Sequence, residues 1–325
     1  MGETIVTLQT EQQIGGITDA LRTTIALGLP VLKGFLFALK GDRIERLGGY
    51  EKITLYDLSR EYLEGTRDCG ICFEYAVHDA LSSRHLKIYP LVSTVIEDFC
   101  GLRSGAQSIL FGAEKSGKWS LINTAQDLIN EDSRVLSGGI GQPPKLLRLW
   151  NTLTRALNVE AAREELPPSI NGLWKSDLFL GSPVDQRWVG ATLKINKEQF
   201  VGSPGLRIGL YPALRHTDRP FLDASTNLVM CPLPYDGGFM EAFYASFFAV
   251  KAFLQSDAKT PSPVAVPYAH DRYFCQQLEA RRGHSVLEVI RVMHPMGQPG
   301  LVAEGAVGTA DREVSAVAPL PAIIG

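Results

Sequence analysis

Basic excess, paired cysteines and long unbroken apolar runs are all scarce in this chain, and each scarcity narrows the reading. The formal net charge is −3, whereas a protein that coats nucleic acid through charge alone carries a clear basic excess. Any nucleic-acid surface is therefore expected to be local. Five cysteines (Cys69, Cys72, Cys100, Cys231 and Cys275) are an odd number with no regular framework, the usage of a reducing compartment and not of a disulfide scaffold. The longest apolar stretches, such as Ala242–Leu254, fall short of the roughly 20 residues of a membrane span. Met1–Thr10 lacks a basic segment followed by an apolar block. A cytoplasmic protein with no membrane partner is expected, and internal repeats are not evident.

What is present is enough for a sizeable core: 325 residues, 45% hydrophobic and 21% charged, sufficient for one large or two modest domains. The first part reads as helical, with an apolar segment Ile25–Leu39 and a polar turn at Lys40–Asp42. Asp68–Ser83 has the spacing of an amphipathic helix, with Asp68 as its N-cap and Glu74 at its middle. Ser108–Ile122 reads as a β-hairpin of Ile109–Phe111 and Trp119–Ile122. Ser133–Pro144, rich in Gly and Pro, reads as a loop, and Lys145–Leu166 as one helix ended by Pro167 and Pro168. Strands are expected at Ser176–Leu180, Arg187–Ile195, Leu206–Tyr211 and Leu228–Pro232, followed by a Phe-rich buried helix, Gly238–Gln255. This order gives an α/β or mixed α+β fold. Leu301–Gly325, poor in large residues, reads as a late strand or a tail.

Several motifs carry less than they suggest. Gly112-Ala-Glu-Lys-Ser-Gly-Lys118-Trp119 imitates a phosphate-binding loop, but the loop needs Ser or Thr after the Lys and a helix to follow. Cys69-x-x-Cys72 has zinc-ligand spacing, but no second Cys or His pair follows at a suitable distance. His78 lies four residues after Glu74 on one helix face, where substrate contact and simple packing fit about equally. His216, His270, His284 and His294 form no metal-ligand pattern, and no nucleophile elbow appears.

The segment with chemical content is Gly172-Leu-Trp-Lys-Ser-Asp177-Leu-Phe-Leu-Gly, followed by Val189-Gly-Ala-Thr192-Leu-Lys194-Ile-Asn196. An Asp opening one strand and a Lys well along the next can meet, because paired strands lie about 4.8 Å apart. Alternation places Thr192 and Lys194 on one face. Asp177 could then hold a hard cation through oxygen, while Lys194 orients water or stabilises charge on a phosphate oxygen. The bland alternative is an Asp that caps a turn and a solvated edge-strand Lys. Around this segment, Gly172–Pro220 carries seven Lys/Arg against four Asp/Glu, a mild basic bias that ordinary surface composition explains nearly as well.

At these residues the chain resembles the PD-(D/E)xK, restriction-endonuclease-like nuclease superfamily, many of whose members carry Gly-x-x-Phe-Glu on the first core helix. Gly70-Ile-Cys-Phe73-Glu74 matches that pattern. The resemblance covers about a third of the chain, centred on Gly172–Leu254. It implies that Glu74 and Asp177 ligate Mg²⁺ or Mn²⁺ and that Lys194 is the catalytic lysine. Thr192, Asn196, His78 and Lys197 would contact substrate. It also implies a helical N-terminal region over 1–65, a first core helix over 66–83, an inserted subdomain over 84–168, a nuclease-like core over 169–260 and a C-terminal extension over 261–325. The family usually has Glu or Asp two residues before the Lys, where this chain has Thr192. Members that depart there use another acid, for which Glu74 comes first and Glu198 second. The implied activity is metal-dependent cleavage of DNA, as a restriction or anti-phage defence effector. A homodimer or a defence-system partner protein would be the assembly. Thr192 keeps open an inactive nuclease fold serving as a nucleic-acid-binding or assembly subunit, and an unrelated interaction protein is a third reading.

Overall fold

Residues 25–36 are largely apolar and form the buried part of a long helix, α1 (Gly2–Phe37). The structure, a computed structural model, describes residues 2–62, 68–103, 105–111, 128–215, 217–235, 238–256 and 264–297. It divides into two units, Met1–Cys72 with Asp236–Gly325, and Phe73–Tyr235.

The first unit is helical among its described residues. After α1 come α2 (Gly41–Arg46) and α3 (Leu55–Glu61), the latter opened by a reciprocal cap between Thr54 and Asp57. The helix α4 (Asp68–Ser82) starts within this unit, with Asp68 in its first turn and not as a cap outside it. Ile25, Leu29, Leu32 and Leu36 of α1 are all buried, as in a helix apolar on most sides. Phe35 stacks on Phe247 at 5.5 Å and meets the edge of Tyr62 at 5.6 Å. The stretch Asp19–Phe37 is long and apolar enough to cross a membrane, and most of it is buried inside the protein. This corrects the expectation that no segment reaches that length: Gly28, Pro30, Lys33 and Gly34 break the run in sequence without breaking the helix.

Two glycines of α1 allow close approach. A Cβ on Gly28 would lie 2.5 Å from the Phe274 ring, and one on Gly34 would lie 2.6 Å from the Cα of Cys72.

The Phe-rich helix α7 (Phe239–Gln255) groups here with α1, together with α8 (Ala269–Glu279) and α9 (Val286–Met293). It had been expected to belong with the strands of residues 169–260. Its composition identified a buried helix and did not say against what it packs.

In the second unit α4 continues, followed by α5 (Ile88–Cys100) and, after the first strands, α6 (Trp150–Asn158). Seven strands among the described residues form one mixed sheet: β1 (Gln107–Leu110), β2 (Arg134–Leu136), β3 (Leu178–Ser182), β4 (Arg187–Leu193), β5 (Arg207–Pro212), β6 (Phe221–Asp223) and β7 (Leu228–Leu233). Their order is β1-β3-β4-β5-β7-β6. The pairs β1–β3, β3–β4 and β6–β7 are antiparallel, and β4–β5 and β5–β7 are parallel. The first half of β4 also pairs in parallel with β2. The architecture is thus mixed α+β. Residues 84–168 are not set apart as an inserted subdomain, because β1 and β2 belong to the same sheet as β3 and β4.

Register fixes two faces. One carries Ile109, Phe111, Phe179 and Trp188, which close a core with Leu146, Leu153, Ile170 and Leu173. Leu146 and Leu153 come from Lys145–Leu166, expected as one helix. It is broken into a 3₁₀ turn Leu146–Leu149, α6 and a 3₁₀ turn Glu160–Glu165, with Val159 extended between the last two; Ile170 and Leu173 lie in a further 3₁₀ segment, Pro168–Lys175. The other face meets α4, where His78 Nδ1 lies 3.0 Å from Ser108 Oγ. The strand β2 falls in the expected Gly/Pro loop. Trp119–Ile122, the phosphate-loop imitation, His216 and the tail from Leu301 lie outside the described residues.

Buried His85 anchors the start of α5: its Nδ1 accepts from the main-chain N–H groups of Lys87 and Ile88 at 3.3 and 3.4 Å. Burial first, then the Lys87 charge, lowers its pKa to about 4. Buried His270 of the helical unit is lowered to about 4 as well, by burial and then Arg272.

Two predictions follow from this packing. Gly34→Ala gains about 1 kcal/mol of helix propensity but forces a backbone clash costing 1–3 kcal/mol or more, so it should lower the urea midpoint. Gly41→Ala, with nothing within 4 Å, serves as the neutral control; equal midpoints for the two variants would refute the close approach. Both histidines fold neutral, so the unfolded chain binds more protons between pH about 6.5 and 4. Stability is complete above that window and falls as acid is added, by up to about 1.4 kcal/mol per pH unit for each group. His85→Asn keeps an acceptor that does not titrate there and should flatten the urea-midpoint profile between pH 7 and 4.5; an unchanged slope would exclude His85 as a contributor.

Candidate functional site

Asp177 sits just before β3, and its main chain is held from both sides. Its N–H donates to the Ala191 carbonyl at 2.8 Å, and its carbonyl accepts from Phe111 N–H at 2.9 Å. Pairing Leu178 with Ala191 brings the start of β3 beside the end of β4, so the Asp177 side chain meets the residues just past Ala191. The Thr192 hydroxyl donates to Asp177 Oδ2 at 3.1 Å, and the Leu193 N–H donates to the same oxygen at 2.9 Å. The Lys194 ammonium lies 3.6 Å from it.

Lys194 follows the end of β4, and its N–H still bonds to the Leu210 carbonyl of β5 at 3.0 Å. The backbone there is pinned while the side chain remains one-third exposed, against 12% for the Asp177 side chain. An ion pair this long and this open contributes about 0–1 kcal/mol. The Lys194 ammonium is therefore free to turn toward another anion at little cost.

A third charge was not singled out in the sequence. Arg207, at the start of β5, is fully buried, and donates through Nη1 to the Lys175 carbonyl at 3.2 Å and through Nη2 to the Val201 carbonyl at 2.8 Å. Burial pushes its guanidinium below the ordinary value, and the Asp177 charge pulls it back up. Among the described residues its Nε has no hydrogen-bond partner. In sequence Arg207 counted only toward a mild basic bias, and no local pattern marks it, because its partners lie 6 and 32 residues away.

The structure thus brings Asp177, Thr192 and Lys194 together. Thr192 is buried and spends its hydrogen on Asp177, which makes it a residue that positions the carboxylate. Asn196 caps a short 3₁₀ turn, its Oδ1 accepting from Glu198 N–H at 3.0 Å, and Lys197 stands exposed in that turn. His78 is not beside Thr192: it contacts Ser108, whose partner Leu180 alternates to the sheet face opposite Phe179. Glu74 lies one helical turn before His78 in α4, half-buried. Among the described residues no group of three or more His, Cys, Asp or Glu side chains gathers at a point.

No protein-family model, curated protein or solved structure matches the chain.

Asp177→Ala leaves two buried donors, Leu193 N–H and the Thr192 hydroxyl, without their acceptor and should cost about 2–3 kcal/mol of stability. Lys194→Met should cost under about 1 kcal/mol, since that pair is part-exposed. Urea unfolding of the two variants tests this; equal, small losses would mean that the Asp177 hydrogen bonds do not hold the strand ends.

Proposed function

We propose that the unit Phe73–Tyr235 is a nuclease core of the PD-(D/E)xK kind that cleaves phosphodiester bonds in DNA, as a restriction or anti-phage defence effector. The observation that carries this reading is the meeting of Asp177 and Lys194 across β3 and β4, with the lysine side chain one-third exposed and only loosely paired. An incoming phosphate oxygen competes with Asp177 for that ammonium, and Arg207 behind the carboxylate adds a fixed positive charge.

Whether the residues suit Mg²⁺ or Mn²⁺ depends on their donors. Asp177 offers one carboxylate, and the Thr192 hydroxyl is committed as a donor to it. Such a set fits a hard cation that keeps several waters and takes its remaining oxygens from the substrate phosphate; Glu74, on the helix that covers the opposite sheet face, does not supply a second acid there. When bound, the cation supplies Lewis-acid polarisation of the phosphate and a more acidic water. Thr192 and Leu193 N–H orient the carboxylate, and Lys194 steadies charge on the phosphate oxygen.

A second reading is favoured by the same Thr192 bond: an inactive nuclease fold that binds nucleic acid or assembles with a partner. Incubating the full chain with plasmid and single-stranded DNA in Mg²⁺, Mn²⁺ or EDTA separates them. Metal-dependent cutting reduced about 10²-fold or more in Lys194→Ala supports the nuclease. DNA binding without cutting under any condition supports the inactive reading, and neither binding nor cutting removes both.

A further inference from the structure

On the sheet face opposite Thr192 and Lys194, at the start of β4, the second unit holds a cleft of about 330 Å³, within the size range of small-molecule sites. Its apolar lining comes from Leu102 and Pro143 and from Leu136 and Val189, which are register partners on β2 and β4. Two cations complete it. Arg134 and Arg187 are register partners in the same pair of strands, so their Cα atoms stand about 4.8 Å apart.

Like charges directly opposite one another in a sheet are destabilising unless something neutralises them. Among the described residues that neutralisation is only partial, through Asp132 near Arg134. Arg187 is exposed, and among the described residues no hydrogen bond or ion pair engages it. Arg134 donates only to a neutral group, the Pro143 carbonyl, at 2.5 Å. Asp132 pairs with Lys145 and its charge also reaches Arg134, while Asp185 accepts from Arg103 N–H, so Arg187 is the cation left without an acid partner among the described residues. Among the described residues no Asp or Glu lines the cleft. The Cys100 thiol on its wall, pushed up to about 11 by burial, is pulled down by the Arg187 charge, so that charge acts at the cleft and not only in bulk water.

From the register-paired arginines over an apolar floor, of which Arg187 meets no acid among the described residues, we infer that this cleft binds a small organic anion, a carboxylate or phosphate monoester head carried on a compact apolar body. The paired guanidinium groups take the head in charge-assisted hydrogen bonds, and Leu136, Val189, Leu102 and Pro143 cover the body. The cleft is distinct from the Asp177–Lys194 site, and the inference does not depend on nuclease activity.

The test is isothermal titration of the full chain with four probes: sodium octanoate, adenosine 5′-monophosphate, inorganic phosphate and uncharged octanol. One-to-one binding of octanoate or of the nucleotide is expected. Either head should outbind both inorganic phosphate and octanol, and the preferred probe identifies whether the head is carboxylate or phosphate. Arg187→Gln and Arg134→Gln, both exposed positions, should each weaken it about tenfold or more. Peptide-mapped alkylation of Cys100 should slow when the probe is bound and should not slow in Arg187→Gln. No saturable binding of either headed probe up to about 10 mM, the weak limit for a specific site, overturns the inference. So does binding that both variants retain with Cys100 unprotected.

Discussion

Asp177 fixes the register of three strands at once. Its N–H bonds to β4 through Ala191, its carbonyl receives the Phe111 N–H at the end of β1, and its carboxylate receives Leu193 N–H and the Thr192 hydroxyl. A slip of one residue between β3 and β4 would exchange the faces of every side chain. Phe179 and Trp188 would leave the core they share with Ile109 and Phe111, and Thr192 and Lys194 would turn away from Asp177. The packing of the sheet and the geometry of the candidate site therefore rest on the same set of hydrogen bonds.

A nearly buried carboxylate is costly unless it is hydrogen-bonded and paired. Here two donors and two cations meet that demand, and they do so differently. Arg207 is held by the carbonyls of Lys175 and Val201 and is sealed from solvent; it acts as a fixed background charge. Lys194 is anchored only through its main chain, and its ammonium can move. One negative and two positive charges leave a local positive excess at the strand ends, although the whole chain carries −3.

Much of this was legible in the sequence because it is governed by short-range pattern. β3, β4, β5 and β7 alternate or run apolar between turn residues, and Asp177 and Lys194 meet because adjacent strands are close. What was hidden depends on distant partners. β2 is three residues of parallel pairing inside a Gly/Pro-rich stretch and has no periodicity of its own. The 3₁₀ and α segments between Leu146 and Glu165 read as one helical period, so the break at Val159 does not show. That His78 shares a helix face with Glu74 could be read from spacing, but which sheet face α4 covers could not. Thr192 was placed on the correct strand face, while its role as a donor to Asp177 needed the register.

The identity of residue 192 decides how the site behaves before anything binds. An acid there would place a second carboxylate against Asp177 Oδ2, and two such charges at hydrogen-bond distance cannot both ionise without a cation between them. Lys194, one-third exposed and 3.6 Å away, is too loosely coupled to relieve that repulsion. Thr192 removes the conflict by turning a competing charge into a donor, and the strand ends close with no ion required. The same hydrogen bond occupies the carboxylate oxygen that a cation would seek. A site built this way is stable when empty and weak in its own hold on metal, so any chemistry it performs must draw its remaining oxygens from the ligand. Of the two charges, Lys194 is the one that can change partner, since Asp177 cannot leave its place without releasing β1 and β4 together.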